Sequence, residues 1–204
     1  MTQRLEIHPT HPQARRVAQV AELLRGGGVV VYPTDTAYAL ACHLGDKAAL
    51  DRIVRLRQLD KKHQFTLACR DLSELGVYAR VDNAGYRLLR RLTPGPYTFV
   101  MKATRDVPRR LLHPKRKTIG LRVPDNVIAQ EILAGVGEPL MTTTMQLPGQ
   151  DEALGDPYDI FEAVGRQVDL VVDGGILGTD VSTVLDLTDG APQIIRQGLG
   201  ELDL

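Results

Sequence analysis

Several short stretches of this chain end an apolar run with hydroxyl or guanidinium groups, an arrangement suited to gripping an anion. Tyr32-Pro33-Thr34-Asp35-Thr36 follows three valines, and Thr142-Thr143-Thr144 closes another run before Met-Gln-Leu-Pro-Gly. Arg122 lies inside the apolar segment 119–123, just before Pro124; Ser182 and Thr183 open one late run and Arg196 ends the next. Arg55 and Arg57 finish a helical pattern, with Lys61 and Lys62 following. Planar guanidinium forks match carboxylate and phosphate oxygens. An arginine inside an apolar strand needs a partner or solvent, because burying it alone is very costly, and a ligand carboxylate or phosphate would serve. In an extended segment Thr34 and Thr36 share one side and Asp35 faces the other. Hydroxyls and cations without an obvious catalytic base suit an adenylation or carbamoylation site, where positioning and charge neutralisation of phosphates do most of the work. They suit a Ser-His-Asp hydrolase poorly. Taken one at a time, ordinary strand ends and basic residues favoured at a helix carboxyl end explain them equally well.

These groups have to be held by regular elements, and hydrophobic periodicity supplies candidates. Val17, Val20, Ala21 and Leu24 predict a helix that stops at Gly26-Gly27-Gly28, and residues 29–32 a buried strand. Further helices are expected over 48–58, 83–91 and from Asp125 or Asn126 to Leu133; strands are expected over 65–69, 97–102, 117–123, 140–144, 170–173, 184–187 and 193–196. The triple glycine follows a helix, so it lacks the strand-then-helix setting of a dinucleotide fingerprint. No repeat or linker divides the chain, and one α/β domain with a twisted mixed sheet and flanking helices is the expected fold.

Bulk composition is that of a globular protein, 43% hydrophobic and 25% charged. No apolar run approaches the roughly 18 residues of a membrane span, and the amino terminus lacks a signal sequence's apolar core, so a cytoplasmic location without membrane contact is expected. Cys42 and Cys69 have neither metal-ligand nor redox spacing and read as reduced, packed thiols; the scattered histidines imply no metal site. Formal net charge is zero, yet residues 52–122 hold 18 Lys and Arg against 5 Asp and Glu, and residues 150–204 hold 2 against 12. The basic segment, with Lys115, Arg116 and Lys117 in a loop, either contacts phosphate, including double-stranded RNA or tRNA, or pairs with the acidic segment. Few aromatics speak for duplex shape rather than single-strand stacking in the RNA reading.

GGVVVYPTDTAYAL, KRKTIGLRVPDN, EPLMTTTMQLPG, STVLDLTD and IIRQGLG, in this order, resemble the YrdC-like family of threonylcarbamoyl-AMP synthases, most closely its YciO branch. The resemblance runs from about residue 8 to the carboxyl end, without the extra carboxyl-terminal domain of longer relatives. It implies a YrdC-like α/β fold around a positively charged concave cavity able to hold a nucleotide-sized anion. It also implies a reaction in which L-threonine and bicarbonate form a carbamate that attacks the α-phosphate of ATP, with Mg²⁺ sharing the charge. The products are threonylcarbamoyl-AMP, for tRNA modification, and pyrophosphate. By resemblance Thr36, Arg122, Thr142 and Ser182 bind threonine and bicarbonate, Thr118, Thr144, Gln146 and Arg196 bind the nucleotide, and Arg55 and Arg57 act on the triphosphate. The sequence departs from the family where Lys-x-Arg before proline becomes Arg55-Leu56-Arg57-Gln58 and Ser-x-Asn becomes Thr144-Met145-Gln146. Charge and hydroxyl are kept there, while the geometry for attack on phosphorus changes.

Overall fold

A computed structural model describes residues 3–60 and 62–202. Ten strands form a single mixed sheet: β1 (Gln3–Glu6), β2 (Val30–Tyr32), β3 (Ala39–His43), β4 (Thr66–Ala68), β5 (Tyr97–Lys102), β6 (Thr118–Arg122), β7 (Leu140–Thr144), β8 (Leu170–Asp173), β9 (Thr183–Asp186) and β10 (Gln193–Arg196). Their spatial order is β1-β8-β2-β3-β7-β4-β6-β5-β9-β10. The helices are α1 (Ala14–Arg25), α2 (Lys47–Arg57), α3 (Leu72–Tyr78), α4 (Asn83–Leu92), α5 (Val127–Val136) and α6 (Pro157–Val164). The expected α/β fold with a mixed sheet is what the chain adopts. Asn126 is the residue that caps α5, its side chain accepting from the Ala129 N–H.

Four elements escape the sequence reading, among them β3, whose apolar residues Ala39–Cys42 follow the YPTDT stretch without a strand being assigned to them. β1 is a polar edge strand with one buried residue, Leu5, and α3 is a seven-residue helix, so neither offers a full apolar period. The signal for α6 was present, because Asp156 caps it and Pro157 takes its first turn. β9 starts and ends one residue earlier than expected.

Alternation along the strands divides the core in two. Val29, Val31, Leu40, Cys42, Leu67, Phe99, Ile119, Leu121, Met141 and Leu185 share one apolar cluster with residues of α2, α3, α4 and α6. Val30, Tyr32, Ala39, Ala41, Ala68, Leu140, Leu170 and Val172 share the other with α1 and α5. The second cluster ends at β4 and takes nothing from β5, β6 or β9. Beyond α1 and α5 that face continues through Thr142, Thr144, Thr66, Gly120, Arg122, Thr98 and Val184, polar or small positions set by the same parity.

Among the described residues the basic and acidic segments pair at three points. Arg52 Nη1 lies 2.7 Å from Asp169 Oδ2, Lys102 Nζ lies 3.7 Å from Asp189 Oδ1, and Arg116 bonds Asp186 and Thr188. Cys42 and Cys69 are buried free thiols, and burial pushes the Cys42 thiol up to about 12.

Partial burial alone would raise the Asp169 carboxyl, but the Arg52 guanidinium and the Val29 N–H outweigh it and hold it below the usual aspartate value. A depressed carboxyl stabilises the fold above its unfolded pKa and loses that contribution as pH falls through its folded pKa. Asp169→Asn should therefore cost about 1 kcal/mol in urea melts at pH 7, a modest value because part of the side chain stays in water. The deficit relative to wild type should shrink on acidification below pH 4. A second expectation concerns Gly120, where an added Cβ would stand 2.5 Å from Thr66 Oγ1 and 3.0 Å from the Phe65 carbonyl oxygen. Gly120→Ala should force β4 and β6 apart and destabilise by about 1–3 kcal/mol, measured by the same melts.

Candidate functional site

The uncovered half of the sheet face forms the floor of a cavity of about 220 Å³. Its walls include Ala39, Thr66, Thr98, Arg122, Thr142–Thr144, Ser182 and Arg196, with His63 and Gln64 at one side. Registry explains the convergence. Thr142 faces Thr66 across β7 and β4, Thr66 faces Gly120 on β6, and Thr98 on β5 faces Val184 on β9. Arg196 reaches the same face through an irregularity. Ile194 pairs with Leu185, but Arg196 rather than Ile195 pairs with Val184, so one residue is bulged and the arginine is turned onto the Val184 side.

Arg122 is 7% exposed, and its side chain has the partner that the sequence demanded. That partner is Asp35, whose Oδ1 accepts from Arg122 Nη2 at 2.5 Å, with both side chains 8% exposed. This corrects two expectations. The guanidinium is not left for a ligand alone, and Asp35 does not face away from the threonines, because the chain bends at residues 35–37 and does not continue as an extended strand. Thr34 and Thr36 hydroxyls bond each other at 3.0 Å, the Thr36 N–H donates to Thr34 Oγ1, and Thr36 Oγ1 accepts from Arg122 at 3.4 Å. Asn126 fixes the turn from below by donating to the Thr34 carbonyl. The ion pair is single-pronged, and Arg122 Nε and Asp35 Oδ2 are buried with no protein partner.

Ser182 Oγ bonds Thr98 Oγ1 at 2.8 Å, and its carbonyl accepts Nε and Nη2 of Arg196. The IIRQGLG stretch passes close over this strand. A Cβ on Gly198 would come within 2.2 Å of the Val181 carbonyl oxygen, so only glycine lets the two backbones approach. Burial, and then the neighbouring Arg122, lower the Arg196 pKa. Two guanidiniums close enough to repel, only one of them paired with a carboxylate, favour a bound anion.

The other expected residues are more dispersed. Thr118 is buried and donates to Gln64 Oε1 at 2.9 Å, so it supports a wall of the cavity without lining it. Arg57 donates to the Gln146 carbonyl while its Nε is buried without a partner. Gln146 turns its own amide to the Gln150 carbonyl, outside the cavity wall. Arg55 is exposed at the end of α2, away from the lining, and Arg52 is taken by Asp169. Lys61 lies outside the described residues. Arg116 is held by Asp186, separating it from Lys115 and Lys117, and the duplex-RNA reading finds no support in this arrangement. At 220 Å³ the cavity is below the ~300–1,000 Å³ of common small-molecule pockets.

His63 was missed by the sequence reading. It lines the cavity beside Gln64, with its ring edge-on to Phe65 at 5.2 Å. Burial, and then Arg57, push its pKa below the ordinary histidine value. Among the described residues no group of three His, Cys, Asp or Glu side chains gathers to hold a metal, and no helix is long and apolar enough to cross a membrane.

Comparison with known proteins agrees with the fold and the motif order. The Sua5/YciO/YrdC family model, described as telomere recombination, matches residues 22–198. Escherichia coli YciO is 52% identical over 202 residues, 99% of this chain and 98% of its own, and its crystal structure matches with a TM-score of 0.96. Human threonylcarbamoyl-AMP synthase is 34% identical over 189 residues, which are 89% of this chain and 66% of the human protein. The structure of P. abyssi Sua5 complexed with L-threonine shares the fold at 24% identity, with a TM-score of 0.89 over 97% of this chain and 58% of that one. By the match to the family model and the identity to its members, this chain belongs to the Sua5/YciO/YrdC family.

Proposed function

We propose that the protein binds L-threonine in the polar cavity and, with bicarbonate and ATP, makes threonylcarbamoyl-AMP and pyrophosphate for tRNA modification. The observation that carries this reading is the convergence of Arg122, Thr142, Thr144, Ser182 and Arg196 on one uncovered sheet face, beside Thr36. The 34% identity to a threonylcarbamoyl-AMP synthase and the L-threonine in the Sua5 structure support it.

In this reading the threonine carboxylate binds between Arg122 and Arg196, whose mutual repulsion it relieves. The threonine hydroxyl and the carbamate oxygens go to the hydroxyls of Thr142, Thr144 and Ser182. The nucleotide is too large for the cavity, so its α-phosphate meets the carbamate at the mouth, near Gln146 and Thr118, and its outer phosphates take Arg57 and the exposed Arg55. Arg57 is held to the Gln146 carbonyl, which gives it one orientation for phosphate. Mg²⁺ travels on the triphosphate in this scheme, since a hard cation is commonly held by substrate phosphates and waters with few protein ligands.

Threonine-dependent release of pyrophosphate from ATP and bicarbonate is the direct test. The reading is lost if high protein concentrations give no release above a protein-free control. Arg196→Ala removes one charge-assisted contact without stranding a buried acid, and should raise the KM for threonine about 10- to 100-fold. Arg57→Ala should act instead on the KM for ATP, leaving threonine affinity by calorimetry within about twofold.

A further inference from the structure

We infer that His63 is the catalytic base that accepts the proton released from the substrate's amino group when the carbamate forms. This rests on the function proposed above and adds to it a residue that carries chemistry.

The geometry singles out this histidine among the chain's five. His8 and His11 ring nitrogens bond Thr10, His43 is held by Glu138 and Gly45, and His113 accepts from the Lys115 and Arg116 N–H groups. His63 alone has no hydrogen-bond partner on either ring nitrogen among the described residues. Its backbone is tied down, the N–H donating to the Asp60 carbonyl, and Phe65 sets the ring plane. The ring is therefore placed and unspent. It stands on the wall of the threonine-rich cavity and also lines an adjoining groove of about 480 Å³ on its other side. A base in this position can take a proton from the cavity and pass it to water through the groove.

The charges around it suit that cycle. Arg57 at the end of α2 disfavours a proton on the resting ring, and Arg122 and Arg196 line the same cavity. Asp60 favours one and would steady the imidazolium once formed. In the groove Lys47 and Asp51 pair with each other at 2.7 Å, leaving Arg109, Arg110 and Lys117 as further positive charges on that side. Burial adds to the same bias, so the ring is neutral and able to accept at neutral pH. In the step itself the free amine of threonine attacks the carbon of CO2 supplied by bicarbonate. The nitrogen lone pair forms the N–C bond, one C–O π bond opens onto oxygen, and the nitrogen's proton goes to His63. The products are carbamate and imidazolium, which balances atoms and charge.

The experiment compares wild type, His63→Gln and His63→Gly in pyrophosphate release across pH 5.5–8.5 with ATP, threonine and CO2 saturating or varied in turn. Loss of a general base is expected to cost about 10²–10⁴-fold in rate, with threonine affinity by calorimetry kept within about twofold as the measure of an intact fold and site. Protonation of the substrate amine gives log kcat/KM a slope of one in every variant. In wild type alone a second unit of slope should appear below the His63 pKa, which lies under the ordinary histidine value. Free imidazole should restore part of the His63→Gly rate, which a merely structural defect would not allow. An active wild type whose rate and pH slope survive both substitutions overturns the role of His63 and leaves the proposed function standing. A wild type with no release overturns that function, and this inference falls with it.

Discussion

A guanidinium set into a β-sheet has to be neutralised where it stands, and in this fold that requirement organises the site. Arg122 is too deeply buried to be left to solvent, so the chain brings Asp35 to it from the turn between β2 and β3. That turn in turn needs Asn126, at the start of α5, to hold the Thr34 carbonyl. One buried charge thus ties the β2–β3 connection, the end of β6 and the start of α5 into a single unit. Because the contact with Asp35 is single-pronged, the guanidinium keeps capacity for a second anion. A fully bidentate pair would have spent it.

The second constraint is coverage. α1 and α5 protect only one half of a sheet face, and a sheet face without helices must be polar or filled. Threonine meets both demands, since it is β-branched enough to live in a strand and carries a hydroxyl that survives exposure to a cavity. Thr66, Thr98, Thr142 and Thr144 therefore serve as strand residues and as cavity lining at once. Gly120 at the centre of this floor adds the space that a side chain would occupy.

Part of the charge separation along the chain is resolved by assembly. The basic stretch 52–122 and the acidic stretch 150–204 lie against each other through Arg52–Asp169, Lys102–Asp189 and Arg116–Asp186. The pairing uses up cations that would otherwise form an open patch. Arg122, paired with Asp35, and Arg196 line the cavity itself.

The sequence by itself determined most element types where an apolar period was long enough, β3 excepted, and it marked the polar residues that interrupt those periods. β5, β7, β8 and β10 fall on the residues that alternation predicts, and Arg122, Thr142, Thr144, Ser182 and Arg196 could be named before any coordinates. Tertiary structure alone decided three matters. Asp35 turned toward Arg122 because a turn reverses the side-chain alternation that an extended segment would keep. Arg196 faced the cavity only through a bulge, and a single unpaired residue in β10 has no signature in local composition. His63 gained its meaning from lacking a ring partner among the described residues, and that depends on every neighbour brought to it by folding. Local pattern fixes which way a strand residue can point; only long-range packing fixes what it meets there.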